Sequence, residues 1–399
     1  MSTTSHSRET PRVSIQRGAH RRAGFSLVEL MVAMIAGSFV IVGAFYMSDV
    51  SSRIFSEQLR RSETQMSLRA SVELMRRDIG RAGFLSIRDY SEVPGCVATT
   101  GPGQVGPAAM DIAPRQVSAA RVNLDANGRQ ELFITGNLTS TDHYFVSASD
   151  GMTLQLQAFN EGYRRSFIDP TDGTTFMATR FLETFFANPV APGRGRMVSI
   201  ISLGNRPQIF LRDLLGVSMS TPPTLQIVTP LPMNAMGAGC INFNEIAIAP
   251  VSTIHYSMQV PGASLARVGG RSYLTGASAA GAMHPVLVRS EYDLAAQADI
   301  AGTERVVLDS ILDTPAGFQI SAVYDNALAP AVNLLHTSTP ETLGLAASGQ
   351  LRSLTIQLIV ESSEREEGDA VHTQSVRAGR RLLRFEVMMP NTSRNSGVY

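Results

Sequence analysis

Glu29 is the residue that most needs a chemical explanation. It is the single charge in an apolar run of 23 residues, Phe25 to Met47. At 1.5 Å per residue the run spans roughly 35 Å as a helix, enough for a bilayer core. A carboxylate inside such a span costs on the order of 2–3 kcal/mol and needs a cationic partner. No basic side chain follows within the run. Cutting the chain before Phe25 would create one, a free α-amino group four residues upstream. A plain signal anchor, or a secretory signal cut near Val42-Gly43-Ala44, accommodates the apolar run but leaves Glu29 without a purpose.

Other residue groupings suggest chemistry less strongly. Cys96 and Cys240 are the two cysteines. In an oxidising compartment they are candidates for one disulfide, worth about 5 kcal/mol in the chain-entropy model for so long a loop. Asn123, Asp125, Asn127 and Gly128 copy the first half of a calcium loop. The twelfth position, where a bidentate glutamate belongs, is Ile134, so a hairpin turn is the expectation and no metal site is assigned. His143 stands beside Asp142 and Tyr144 and reads as an ordinary loop histidine. Arg76, Arg77 and Arg81 form a small basic cluster, with Glu73 and Asp78 alongside as on a solvated face. No phosphate loop, dinucleotide fingerprint, nucleophile elbow or His-Glu-x-x-His pattern occurs, so neither an enzyme nor a cofactor is expected.

The elements that must position these residues begin with charge. The 399-residue chain has net charge +0, with no Lys and no Trp. Arg8, Arg12, Arg17, Arg21 and Arg22 against Glu9 make residues 1–24 +4, so the remainder is −4 by difference. The basic segment before the apolar run predicts a cytoplasmic N-terminus. Zero net charge argues against a dedicated nucleic-acid binder.

No proline occurs between Pro11 and Pro94. Beyond Met47 the pattern turns amphipathic: Leu68, Val72, Met75 and Ile79 share one helical face. Glu57 with Arg61 and Glu73 with Arg77 lie at i, i+4. The spacing predicts one helix of about 55–58 residues, ending at Gly83, with Gly80 as a second choice. Ala33, Gly37 and Ala44 form a small-residue stripe suited to close helix packing. Residues 84–399 carry short β-branched runs between turn signals. Expected strands are Glu131–Thr135, Met197–Leu203, Thr224–Val228, Thr253–Val260, Pro285–Tyr292, Phe318–Tyr324, Leu354–Val360 and Leu382–Met389. Asp125-Ala126-Asn127-Gly128 and Asp169-Pro170-Thr171-Asp172-Gly173 read as turns, and the segments near 101–120 and 261–283 as loops.

The run Arg21-Arg22-Ala23-Gly24-Phe25-Ser26-Leu27-Val28-Glu29-Leu30-Met31-Val32-Ala33 resembles the prepilin signal of type IV pilins and pseudopilins. The resemblance implies a cut between Gly24 and Phe25 by prepilin peptidase and N-methylation of Phe25. It also implies pairing of Glu29 with the N-terminus of a neighbouring subunit. Leu74 to Phe84 resembles the helix end of PilW-type minor pilins. Val307 to Asp313, with Phe318-Gln319-Ile320 and Tyr324, resembles a segment shared by PilW and the J pseudopilins of type II secretion. Leu351 to Val360 resembles their penultimate strand. Residues 100–250 resemble nothing nameable.

The resemblance implies an α+β, type IV pilin-like fold in three parts. These are a leader at 1–24, a long helix at 25–83 with 25–47 transmembrane, and an antiparallel β-rich domain at 84–399. It implies a single-pass inner-membrane precursor with a periplasmic domain, extracellular after assembly. Expected partners are other minor and major pilins, prepilin peptidase, the inner-membrane assembly platform and lipid before assembly. The expected role is a PilW-like minor pilin that primes the pilus and joins its tip complex, for motility, adhesion or DNA uptake. The alternatives are a J-like secretion pseudopilin, and a tip adhesin with its receptor site in residues 100–250.

Overall fold

A computed structural model of the chain describes residues 26–85, 119–186, 195–202, 208–220, 222–231, 246–259, 285–294, 296–308, 311–312, 314–325, 334–337, 351–362 and 379–389. Two compact units divide at Ser62/Glu63. Helix α1, Leu27–Gly80, contributes to both. It starts where the Ser26 hydroxyl accepts from the Val28 N–H at 3.2 Å and the Ser26 carbonyl from the Leu30 N–H at 3.1 Å. Glu29 lies in the first turn, the end at which a helix favours negative charge.

In the first unit, Leu27–Ser56 is a 30-residue stretch, long and apolar enough to cross a membrane. It runs past the expected limit at Met47. The only charges between Ser48 and Ser56 are Asp49 and Arg53, which pair at 3.1 Å.

In the second unit, α1 buries Met75 and Ile79 completely, with Leu68 and Val72 packed beside them. The amphipathic face foreseen in the sequence is therefore core of the compact unit, which begins at Glu63 rather than after the helix. The helix stops at Gly80, three residues before the favoured Gly83. There the Arg81 and Ala82 N–H groups bond back to the Asp78 and Ile79 carbonyls, a tighter turn than the α-helix. Gly83 then takes φ +71°, which turns its N–H onto the Thr135 carbonyl at 2.8 Å.

One sheet contains β1 (Ala120–Leu124), β2 (Gln130–Gly136), β3 (Tyr144–Ser149), β4 (Thr153–Leu156), β5 (Met197–Ser202), β6 (Gln208–Ser218), β7 (Thr224–Ile227), β8 (Ile246–Gln259), β9 (Val286–Asp293), β10 (Ala298–Asp299) and β11 (Arg305–Leu308). The second contains β12 (Phe318–Asp325), β13 (Leu334–Thr337), β14 (Leu351–Ser362) and β15 (Gly379–Met388), in the order β13-β12-β14-β15. Two short helices, α2 (Glu161–Phe167) and α3 (Ala178–Phe185), separate β4 from β5.

β8 organises the larger sheet. Its first half pairs with β3 on one side and β5 on the other, and the ring β8-β3-β4-β7-β6-β5-β8 closes as a six-stranded antiparallel barrel. Its second half pairs with β2 and β9 in an open layer. On the β3/β2 side, partners stop at Ile248 and resume at Ser252. Pro250, with no N–H to donate, falls in that gap.

Each half has its own core. The open layer packs Leu132, Ile134, Ile254 and Leu287 with Met75 and Ile79 of α1 and with Phe318, Ile356 and Phe385 of the second sheet. The barrel packs Val146, Ile200, Phe210 and Leu225 with an aromatic group from the short helices, Tyr163, Phe167, Phe181 and Phe185.

The expected strands all fall on observed ones, though β8 is longer than foreseen. The Asp125–Gly128 turn joins β1 to β2, with Asp125 Oδ1 accepting from the Asn127 and Arg129 N–H groups, each at 2.8 Å. The barrel and both short helices occupy the region that resembled nothing. Of the two expected loops, 101–118 and 261–283 lie outside the described residues.

Candidate functional site

The processing and assembly segment comes first. Gly24 and Phe25 lie outside the described residues, as do Cys96 and Cys240. Glu29 is exposed. Ala33 and Ala44 are exposed and Gly37 is half-exposed. A Cβ added at Gly37 would meet no heavy atom within 4 Å. An apolar helix that turns its small residues and Glu29 outward offers all of them to another molecule.

The last turns of α1 are held by a buried charge. Asp78 is 2% exposed and accepts from Arg289 Nε at 2.7 Å and from the Tyr256 hydroxyl at 2.9 Å, both through Oδ2. Arg289 comes from β9 and Tyr256 from β8, so one carboxylate ties the helix to two neighbouring strands. Burial works against the Arg289 charge, but Asp78 outweighs it and raises the pKa. Burial pushes the Tyr256 phenol well above its ordinary value, and Asp78 adds to this. The solvated face expected around Asp78 is thus not found: three residues after Met75, it borders the apolar stripe and is buried, where a charge requires a partner.

The opposite face of the open layer carries a second cluster. His255 Nδ1 lies 2.9 Å from Asp299 Oδ1, and Nε2 is 3.6 Å from Glu131 Oε1. The imidazole stacks on Phe133 at 4.3 Å between centroids, and Arg121 lies 4.4 Å over the same ring. Ser290 donates to Asp299 at 2.7 Å. Burial opposes the His255 charge, yet the two carboxylates prevail and raise its pKa. Burial likewise opposes ionisation of Asp299, but His255 and Ser290 hold its pKa below the ordinary value.

Where barrel meets open layer there is a small cleft lined by Arg196, Asp213, Ser252, Thr253, Glu291 and Tyr292. Arg196 is committed within it: Nε and Nη2 reach Glu291 at 3.0 and 2.8 Å, and Nη1 reaches carbonyls of Thr184 and Phe186 at the end of α3.

The remaining sequence candidates resolve as local structure. Asn123, Asp125, Asn127 and Gly128 form the hairpin, and among the described residues no group of three His, Cys, Asp or Glu could hold a metal. His143 is exposed and packs edge-on to Phe145 at 5.2 Å, while its neighbour Asp142 is taken by Arg165 and Ser166. The basic cluster is dispersed. Arg76 lies over Phe385, Arg77 leans to Asp78, and Arg81 donates to the Leu138 carbonyl.

Residues 19–45 match the family model described as the prokaryotic N-terminal methylation motif. No curated protein and no solved structure matches the chain. The methylation motif of type IV pilins and pseudopilins is therefore present. It heads a long apolar helix followed by a β-rich domain, a pilin-like layout. The motif implies processing by prepilin peptidase and assembly with other pilins.

Proposed function

We propose that this chain is a minor pilin of the PilW type. The observation that carries the reading is the methylation motif directly heading a 30-residue apolar stretch that buries nothing within the chain. In this reading the precursor sits in the inner membrane with its arginine-rich leader in the cytoplasm and its β-domain in the periplasm. Prepilin peptidase removes residues 1–24. The mature helix then passes from lipid into a bundle with other pilins, and Glu29 stays compensated by the methylated N-terminus of a neighbour. The chain performs no reaction; it is the substrate of one. Its place is with other minor pilins, priming assembly and forming the tip.

The test is intact-peptide mass spectrometry on sheared surface filaments and on membranes. N-methylated Phe25 in sheared material is the expected result. The same peptide confined to membranes would replace the pilus reading with a secretion pseudopilus. An uncut peptide spanning Gly24-Phe25 in both fractions would remove both readings.

A further inference from the structure

We propose that β15 is a self-pairing edge, through which a second copy of this chain adds antiparallel about a two-fold axis at Phe385. β15 pairs with β14 along ten consecutive positions, from Ser353–Met388 to Ser362–Gly379, and among the described residues with no other strand. The far side of such a strand presents unpaired N–H and C=O groups. Two common protections are missing from β15: its register with β14 has no bulge, and its first proline, Pro390, lies beyond its end.

The side chains specify the occupant. Leu382 and Met388 are 64% and 67% exposed, Arg384 and Glu386 between them are exposed, and inward Phe385 is 6% exposed. In an antiparallel pair of identical strands, residues equidistant from the axis face each other. With the axis at Phe385, Arg384 faces Glu386 of the other copy, and Glu386 faces Arg384. Leu382 faces Met388 just outside each charged pair. On the inner face, Leu383 meets Val387 and Phe385 meets itself. All four kinds of juxtaposition are favourable cross-strand pairs.

Neighbouring registers fail. An axis at Arg384 opposes two arginines, and one at Glu386 opposes two glutamates. An axis between residues sets an exposed side chain against a buried one, because directly opposed residues share a face. Arg384 has no ion pair within the chain among the described residues. Glu386 accepts from Ser353 through Oε1, which leaves Oε2 for a guanidinium. Isolated charges on an edge would discourage partners; charges in this order select a second copy.

The test uses the full chain in membranes, so that the outcome does not depend on filament assembly. Copies carrying Leu382→Cys and differently tagged copies carrying Met388→Cys are co-expressed and oxidised. A mixed bridge mapped to the peptides holding positions 382 and 388 is expected. Arg384→Glu in both copies should lower its yield roughly tenfold, as two attractive pairs become repulsive. Adding Glu386→Arg to the same copies should restore it. No mixed bridge, a bridge indifferent to Arg384→Glu, or capture of position 382 by a different protein would each overturn the proposal.

Discussion

Along α1, Leu27, Phe39 and Val40 point outward on different sides and are each more than 70% exposed, whereas Met75 and Ile79 share one face and are fully buried. The first pattern is apolar all round and answers to a solvent outside the chain, lipid or other helices. The second is a stripe, and it answers to the chain's own strands. One uninterrupted helix thus serves two environments. Its N-terminal stretch contributes nothing to the stability of the folded unit, while its C-terminal turns are part of that unit's core. Substitutions in the two stretches should therefore be read out by different experiments.

The largest contrast should come from two aspartates. Asp78→Ala leaves Arg289 buried without its counter-charge and should cost about 3–5 kcal/mol in denaturant unfolding of the full chain in micelles. Asp49→Ala removes an exposed i, i+4 pair and should stay within about 0.5 kcal/mol. Equal losses would erase the distinction between the two stretches.

Two glycines give a smaller contrast. A Cβ on Gly136 would lie 2.6 Å from the Arg81 carbonyl, where the end of β2 meets the turn after α1. Gly136→Ala should cost about 1–3 kcal/mol. Gly37→Ala meets nothing and should be neutral, or up to about 1 kcal/mol stabilising through helix propensity.

A pH titration resolves the open layer more finely. His255 has a raised pKa, so its contribution is complete below the unfolded value of about 6.5 and is lost as pH rises through the folded value. Asp299 has a lowered pKa, so its contribution is present above about 3.9 and is lost as pH falls through the folded value. Stability relative to His255→Gln should therefore decline on the alkaline side. A pH-independent difference between the two would show that the pair carries no linked proton.

Glu29→Ala should produce the smallest change in stability, none measurable, and a large change elsewhere. The variant should be cleaved normally yet enter filaments poorly. Normal incorporation, measured by immunoblot of sheared filaments, would sink the pairing role.

Much of the second sheet was readable because β14 carries an apolar residue at every second position. Leu354, Ile356, Leu358 and Val360 hold those positions, and all are buried. The barrel was not readable as a barrel. β3 and β4 are short, and the core they join is completed by aromatics from α2 and α3, Tyr163 to Phe185, and by strands farther along the chain. β8 was half seen: all of it but Gln259 is buried, yet its first six residues, Ile246 to Val251, form one continuous apolar run, whereas beyond Thr253 polar and apolar residues alternate. A strand covered on both faces has no period to read. The Asp78 anchor left a trace in the helical stripe, but Arg289 and Tyr256 lie 211 and 178 residues away.

The sequence by itself determined the processing signal, the apolar helix and the presence of a β-rich domain. These depend on residue type and near spacing, which a linear chain displays directly. The tertiary structure alone decided that β8 is shared between a closed barrel and an open layer, that Asp78 is neutralised by Arg289, and that His255 lies between two carboxylates. Each of these is a meeting of segments far apart in the chain. A buried charge reveals in sequence only that it needs a partner; the fold decides which residue supplies it.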